Sequence, residues 1–166
     1  MTTSLLRALP LLAALLAPAF AAAEPSAIYI VRHAEKGAEG KDPDLTAGGQ
    51  QRARNLAAIL RQAGIVHVFS TPTARTRQTA QPTAADSMVA VEAYDPRQPQ
   101  ALVDKVRALD GAVLVVGHSN TVPDLVRAFG GAEADKEIPD NEYSRLYQLT
   151  PGPGGKLRTV RLSSLP

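Results

Sequence analysis

The sequence predicts an α/β protein with three layers, α/β/α, a mainly parallel central sheet and a C-terminal antiparallel hairpin. Two observations predict this fold class. Short apolar runs of strand length alternate with segments whose apolar residues follow helical spacing, the order that builds a parallel sheet covered by helices on both faces. The chain then ends in two strand-like segments around the turn Pro151-Gly152-Pro153-Gly154-Gly155, which predicts a hairpin.

The strands are predicted from short runs of apolar and β-branched residues. The run 28–31, with the sequence IYIV, does not alternate with polar residues, which indicates a strand buried on both faces. The run 112–116, with the sequence AVLVV, is the most apolar of these strands. The remaining strands are predicted over 66–69, 88–91, 143–150 and 156–163.

The helices are predicted from apolar residues that recur every three or four positions. Thr46 is a suitable N-cap for the first helix, which is predicted to end at Gly64. Gly130-Gly131 closes the last helix in the manner of a C-cap. The predicted spans are 46–63, 75–85, 100–109 and 121–129.

The first residues of the chain have the three-part layout of a secretory signal peptide. A positive charge at Arg7 precedes the apolar run 9–20, and three alanines then end at Ala23. We expect a signal peptide over 1–23, cleaved after Ala23, and a single mature domain over 24–166 that is periplasmic or secreted. A membrane anchor is the alternative, but prolines interrupt this run and it is short for a membrane span.

Composition excludes several functions. The chain of 166 residues contains no cysteine, which excludes disulfides, a thiolate nucleophile and cysteine-ligated zinc. Removal of Arg7 with the leader lowers the formal net charge from +2 to +1, and basic residues form no block. We therefore expect no nucleic-acid partner, and no membrane span in the mature chain.

Charged side chains follow three of the predicted strands at the point where each strand ends. Arg32 and His33 follow the first strand, Arg75 lies in the helix after the second, and His118 follows the most apolar strand. An isolated Arg-His pair would be interpreted as ordinary loop residues. Because parallel strands present their carboxyl ends at one edge of the sheet, however, we expect these four side chains to converge on one site.

Two imidazoles and two guanidiniums suit a phosphoryl group. A neutral imidazole can attack phosphorus, and guanidiniums stabilise the charge on the phosphoryl oxygens while disfavouring an imidazolium. The scattered histidines offer no metal-ligand spacing, so no metal or other cofactor is predicted. The chain also lacks a Gly-x-Ser-x-Gly elbow, a Walker loop and a GxGxxG motif.

Three motifs, in matching order and spacing, resemble those of the histidine phosphatase superfamily, also called the phosphoglycerate-mutase-like family. Arg32-His33-Ala34-Glu35 matches its R-H-G-x stretch. The stretch 70–80, STPTARTRQTA, closely matches S-S-P-x-x-R-x-x-Q-T-A, and Gly117-His118 matches the G-H that follows a hydrophobic strand. The resemblance covers essentially the whole predicted mature chain, and it places the chain among the small exported members.

The resemblance implies a role for each matched residue. His33 is the phosphorylated nucleophile, Arg32 and Arg75 bind the phosphoryl group, and His118 hydrogen-bonds it. Ala34 stands where the family usually has glycine, so the backbone there must avoid conformations that only glycine takes cheaply.

The proton donor is left open by the resemblance. The phytase and acid-phosphatase branch carries His-Asp at the second histidine, whereas Ser119 follows it here. The mutase-like branch places a glutamate shortly after the third strand, where Asp95 is nearest and Glu92 is close by. Glu35 is a third candidate.

The sequence therefore predicts a metal-independent, exported phosphomonoesterase that hydrolyses a small phosphorylated substrate through a phosphohistidine on His33. The small exported members of this family include proteins similar to the phosphatases of lipopolysaccharide-core heptose phosphate, so an envelope sugar phosphate is one candidate substrate, by analogy only. The alternative is a phospho-ligand-binding module with the same pocket and no turnover. The sequence makes no prediction of the oligomeric state.

Overall fold

The computed structural model describes residues 24–133 and 135–164. The predicted signal peptide and its cleavage site after Ala23 lie outside these residues. Within them, no helix has both the length and the apolar character needed to cross a membrane.

A six-stranded mixed sheet forms the centre of the structure. Its strands are β1 Ala27–Arg32, β2 Ile65–Ser70, β3 Val91–Ala93, β4 Ala112–Gly117, β5 Arg145–Pro151 and β6 Leu157–Ser163. They lie in the order β3-β2-β4-β1-β5-β6. The first four strands of this order are parallel, whereas β5 is antiparallel to β1 and to β6. The predicted fold class is confirmed, including the hairpin, whose turn contains the short 3-10 helix Pro153–Gly155.

Four helices connect the strands. They are α1 Ala47–Leu60, α2 Ala74–Asp86, α3 Pro99–Arg107 and α4 Thr121–Phe129. Thr46 caps α1 as predicted, because the Gly49 N–H donates to its hydroxyl oxygen over 3.1 Å. Gly130 ends α4 in the left-handed conformation with a φ of 96°, which glycine adopts without steric cost.

Apolar side chains cover both faces of the sheet. All six residues of β1 and all six of β4 are buried, as expected for central parallel strands. Ile28 and Ile30 belong to the cluster that includes α3 and α4, whereas Tyr29 and Val31 belong to the cluster that includes α1 and α2. The helices therefore pack in pairs on opposite faces and leave the carboxyl edge of the parallel strands to the loops.

The third strand differs from its prediction over 88–91. The Met88 and Val89 N–H groups donate to the carbonyls of Ala85 and Ala84 at the end of α2, so the start of this run closes the helix. Met88 has a φ of 56° and is 93% exposed. Pairing with β2 begins only at Val91, and the resulting edge strand has three residues.

Candidate active site

The four predicted site residues lie around the carboxyl edge of the parallel strands. Arg32 is the last residue of β1 and pairs with Gly117, the last residue of β4, so His33 and His118 follow on neighbouring strands. Their ring centroids are 5.4 Å apart, and their planes cross at 68°. The positive charge of Arg75, in the first turn of α2, acts on both imidazoles.

His33 is held as a neutral imidazole. Its side chain is buried, with 4% of its surface exposed, and burial is the main reason that its pKa falls from 6.5 to about 4. The nearby His118, Arg75 and Arg32 lower this pKa further. The Nδ1 atom lies 2.8 Å from the Ala34 carbonyl oxygen, which can only accept, so the proton sits on Nδ1 and the lone pair on Nε2.

His118 is also neutral near pH 7. Burial, and then the charges of Arg75 and Arg32, lower its pKa to about 4. Its Nε2 atom lies 2.9 Å from the hydroxyl of Thr71, the residue that follows β2. The Thr71 hydroxyl in turn lies 2.9 Å from the Thr76 hydroxyl of α2. This hydroxyl network fixes the His118 imidazole ring relative to the first helical turn of α2.

Arg32 joins the sheet to the segment before β5. Its Nη1 atom donates to the carbonyls of Pro139, Asp140 and Glu142 over 2.8, 3.2 and 3.1 Å. Its guanidinium also stacks on the Tyr143 ring, with 4.3 Å between Cζ and the ring centroid. The centroid of this tyrosine ring lies 6.2 Å from that of the His33 ring.

Both pocket arginines keep a buried donor without a protein partner. Across the residues that the structure describes, the Nε atoms of Arg32 and Arg75 are buried and make no hydrogen bond. Native proteins rarely leave buried polar groups unsatisfied, and a guanidinium matches the oxygens of an anion. These two donors indicate an anion-binding pocket beside the histidines.

Arg75 has a carboxylate neighbour that the sequence analysis missed. Asp42, in the loop between β1 and α1, accepts an ion-paired hydrogen bond from Arg75 Nη1 over 3.3 Å. Both of its carboxylate oxygens also lie 2.9 Å from the backbone nitrogen of Ala74, the first residue of α2. Nothing in the sequence distinguishes Asp42 from the other polar residues of its loop.

The second motif, the stretch 70–80, positions the backbone of the first motif, residues 32–35. The Ala34 N–H donates to the Thr79 hydroxyl over 2.9 Å, and that hydroxyl donates to the Arg75 carbonyl over 2.7 Å. Gln78 accepts from the Leu45 N–H over 2.7 Å. Among the described non-glycine residues only Met88 has a positive φ, so Ala34 avoids the conformations reserved for glycine, as expected.

Each of the three predicted proton-donor candidates is paired with a cation. Arg52 donates to Glu35 through Nε and Nη2, and this hydrogen bonding lowers the pKa of the Glu35 carboxyl group. Asp95 accepts from Arg97, which lowers the Asp95 pKa to about 2.

The third candidate, Glu92, lies 2.6 Å from Lys105 Nζ. Throughout 24–133 and 135–164, no hydrogen bond or ion pair joins any of the three candidates to the pocket histidines or arginines. The third histidine, His67, lies 4.0 Å from Asp110 in the loop that precedes β4, remote from the carboxyl edge. The described part of the chain contains no group of three or more residues suited to hold a metal ion.

The sheet and the pocket define an α/β protein with two neutral imidazoles and two guanidiniums at the carboxyl edge of its parallel strands. Comparison with known proteins points to the same family as the motifs. Residues 28–97 match the model of the histidine phosphatase superfamily (branch 1). It is 34% identical over 126 residues to a probable phosphoglycerate mutase, GpmB, of Enterobacter, a match covering 69% of the chain and 54% of that relative. The chain thus spans about half the length of this curated relative.

Solved structures share the fold. The candidate phosphohistidine phosphatase SixA from Agrobacterium tumefaciens has 21% sequence identity and a TM-score of 0.65, over 83% of the chain and 98% of SixA. A mycobacterial glucosyl-3-phosphoglycerate phosphatase in complex with VO3 has 13% identity and a TM-score of 0.60, over 82% of the chain and 97% of that structure. At these identities the similarity concerns the fold alone.

Proposed function

We propose that the protein is an exported, metal-independent phosphomonoesterase that hydrolyses a small phosphate ester in two steps. The His33 imidazole takes the phosphoryl group to form a phosphohistidine, and water then releases phosphate. Arg32 and Arg75 bind the phosphoryl oxygens, and His118 donates a hydrogen bond to one of them. The observation that carries the proposal is the neutral His33, whose Nε2 lone pair is left available by the bond from Nδ1 to the Ala34 carbonyl.

The chemistry of the pocket supports this role. A neutral imidazole is a competent nucleophile, whereas an imidazolium is not. The unpartnered Nε donors of Arg32 and Arg75 are oriented by the surrounding structure before substrate binds, so little reorganisation is needed as negative charge develops. Such donors act more strongly in a buried site than in water.

The proposed location and substrate rest on the sequence pattern and on analogy. The signal-peptide layout over 1–23 supports export. Export disfavours a glycolytic mutase role, although curated relatives are named probable phosphoglycerate mutases. An envelope sugar phosphate is the proposed substrate, and a fold relative that acts on a phosphorylated sugar conjugate, glucosyl-3-phosphoglycerate, is consistent with that class.

A binding module with no turnover is the second candidate. The observation that favours it is the pairing of Glu35, Glu92 and Asp95 with cations, since none of these carboxylates has a hydrogen bond or ion pair to the pocket histidines or arginines among the residues described. Without a donor, departure of a poor leaving group would be slow, while the pocket would still hold a phosphorylated ligand.

The test is a rapid-quench experiment on protein produced from the full chain. Incubation with p-nitrophenyl phosphate should yield nitrophenol and an acid-labile phosphate on His33, and both should be lost in the His33→Ala variant. The matched control is His67→Ala, which removes a histidine remote from the pocket and should retain both. Phosphate binding with neither adduct nor turnover would favour the binding module and reject the enzyme.

A further inference from the structure

The proposed reaction needs a proton for the departing alcohol, and the pocket offers few carboxylates to supply it. In the part of the chain that the structure describes, two carboxylates form ion pairs with a pocket arginine. Asp42 lies 3.3 Å from Arg75, and Asp140 lies 3.7 Å from Arg32. Phosphate monoesters of ordinary alcohols leave as strongly basic alkoxides unless a group within hydrogen-bond reach protonates them.

These two carboxylates differ in how they are held. The Asp140 side chain is 98% exposed, and its contact with Arg32 is longer. Asp42 is 46% exposed and is fixed by the Ala74 N–H, which lies 2.9 Å from both of its oxygens, in addition to Arg75. A group that must be placed against a reacting atom needs such fixation.

The charge of Asp42 also acts on the pocket itself. It opposes the lowering of the His118 pKa by the arginines, which places the carboxylate within electrostatic reach of the second histidine as well as of Arg75. A second contact joins the loop that carries Asp42 to α2, since Gln78 Nε2 donates to the Asp44 carboxylate over 2.6 Å.

We propose that Asp42 is the residue that exchanges protons with the leaving group and with the attacking water. This assignment rests on the proposed function, and it selects a residue other than the three that the sequence suggested. The proposed role of Asp42 follows from its ion pair with Arg75, because the phosphoryl group binds the same arginine and is thereby brought close to the Asp42 carboxyl group.

In the first step the phosphoryl dianion binds Arg75 and takes over the cation that Asp42 pairs with in the resting structure. The released Asp42 carboxylate takes up a proton from solvent before the first transfer. The bond from His33 Nε2 to phosphorus forms, the bond from phosphorus to the ester oxygen breaks, and the ester oxygen takes the Asp42 proton and leaves as an alcohol.

The second step reverses the proton transfer. The Asp42 carboxylate takes a proton from water as the water oxygen bonds to phosphorus, and the bond between phosphorus and His33 Nε2 breaks. Phosphate leaves with neutral His33 regenerated and Asp42 protonated. The sum of the two steps is one ester and one water converted to one alcohol and one phosphate.

The experiment measures how the rate depends on the leaving group. The wild type and Asp42→Asn are compared on p-nitrophenyl phosphate, whose leaving group needs no proton, and on benzyl phosphate, whose leaving group does. Asparagine keeps an oxygen for the Ala74 N–H and for Arg75 but carries no acidic proton. We expect kcat/KM on benzyl phosphate, which covers only the steps through phosphoryl transfer to His33, to fall by about 100- to 10,000-fold, and kcat/KM on p-nitrophenyl phosphate by less than about tenfold.

The ratio of the two rates keeps the test decisive if the variant folds poorly, because a smaller folded fraction lowers both rates equally. Asp42→Glu retains the acid and should restore part of the benzyl phosphate rate. Asp104→Asn, on the exposed surface of α3, is the neutral control. Equal losses of kcat/KM on both substrates, no loss of kcat/KM, or a gain of kcat/KM on both from freeing Arg75 would each overturn the assignment.

The same assay separates this assignment from the proposed function. If the selective loss on benzyl phosphate follows Asp140→Asn instead of Asp42→Asn, the donor is Asp140 and the phosphatase stands. If the wild type turns over neither substrate and forms no adduct on His33, the proposed function fails and the assignment fails with it.

Discussion

His33 and His118 face each other at one edge of the sheet, with their ring centroids 5.4 Å apart. The parallel pairing of Arg32 with Gly117 produces this arrangement, because each histidine directly follows one member of that pair. The His33 N–H donates to the Gly117 carbonyl over 2.9 Å and extends the pairing into the site. The relative position of the two imidazoles is therefore set by backbone hydrogen bonds, before any substrate binds.

The lowered histidine pKa values predict a pH dependence of stability. Burial lowers the pKa of His33 from 6.5 to about 4, so the unfolded chain binds more protons than the folded one between these values. The resulting stability is present above the unfolded pKa and is lost as the pH falls toward the folded one. Urea titrations at about pH 7 and about pH 4.5 should show a smaller decrease in unfolding free energy for His33→Asn than for the wild type. An equal decrease would contradict the lowered pKa.

Replacement of Arg75 by lysine should impair turnover more than folding. Lysine keeps the charge but lacks the buried Nε donor and the planar fork that matches phosphoryl oxygens. We expect kcat on p-nitrophenyl phosphate to fall by about 100-fold or more, as when one transition-state donor is removed. Arg77→Lys, two residues along α2 and exposed, is the matched control and should leave kcat unchanged.

Two adjacent glycines of α1 should respond differently to alanine. A Cβ atom at Gly49 would lie 2.1 Å from the Glu35 carbonyl oxygen, whereas at Gly48 the nearest atom would be the Thr46 hydroxyl, 3.7 Å away. Gly49→Ala should lower the unfolding free energy by about 1–3 kcal/mol through this overlap. Gly48→Ala should be neutral or stabilising, because alanine favours helix. Urea titration of both variants tests the contrast, and equal stabilities would refute it.

Two buried threonines of α2 form a second matched pair. Thr79 accepts from the Ala34 N–H, whereas the Thr83 hydroxyl, one turn further along, is buried without a partner among the residues described. Thr79→Val should cost about 1–3 kcal/mol by leaving the Ala34 N–H unsatisfied, and it should lower kcat because Ala34 follows His33. Thr83→Val should be neutral or stabilising in the same denaturation assay. A larger loss from Thr83→Val would show that its hydroxyl has a partner after all.

Removal of metal ions should leave the activity intact. The proposed chemistry uses imidazole and guanidinium groups alone, so turnover of p-nitrophenyl phosphate should be the same before and after treatment with excess chelator. Loss of turnover that a divalent ion restores would contradict the proposed mechanism.

The fold and the meeting of the pocket residues could be predicted from the sequence because both follow from local pattern. Arg32, His33 and His118 stand at the ends of continuous apolar runs, and parallel strands align such ends. Asp42 and Tyr143 could not be predicted in the same way. They lie in loops whose positions depend on contacts distant in sequence, such as the hydrogen bonds from Arg32 to residues 139–142.

The cation partners of Glu35 and Glu92 could not be predicted from the sequence either. Glu35 pairs with Arg52 across a loop and a helix, and Glu92 pairs with Lys105 across a strand and a helix. Proximity in the chain to a motif does not reveal which cation a carboxylate meets. The start of the third strand was not predictable for a similar reason. The N–H groups of Met88 and Val89 donate to carbonyls at the end of α2 and are therefore not available for strand pairing.

All the hydrogen bonds that Arg32 donates to residues 139–142 go to main-chain oxygens. The Asp140 carboxylate, 3.7 Å from Arg32, is 98% exposed, and such exposed ion pairs contribute little to stability. Residue 140 can therefore be substituted while the main-chain hydrogen bonds that position the Arg32 guanidinium are kept. A small library of substitutions at position 140, on the rim of the pocket, is a route to altered substrate preference.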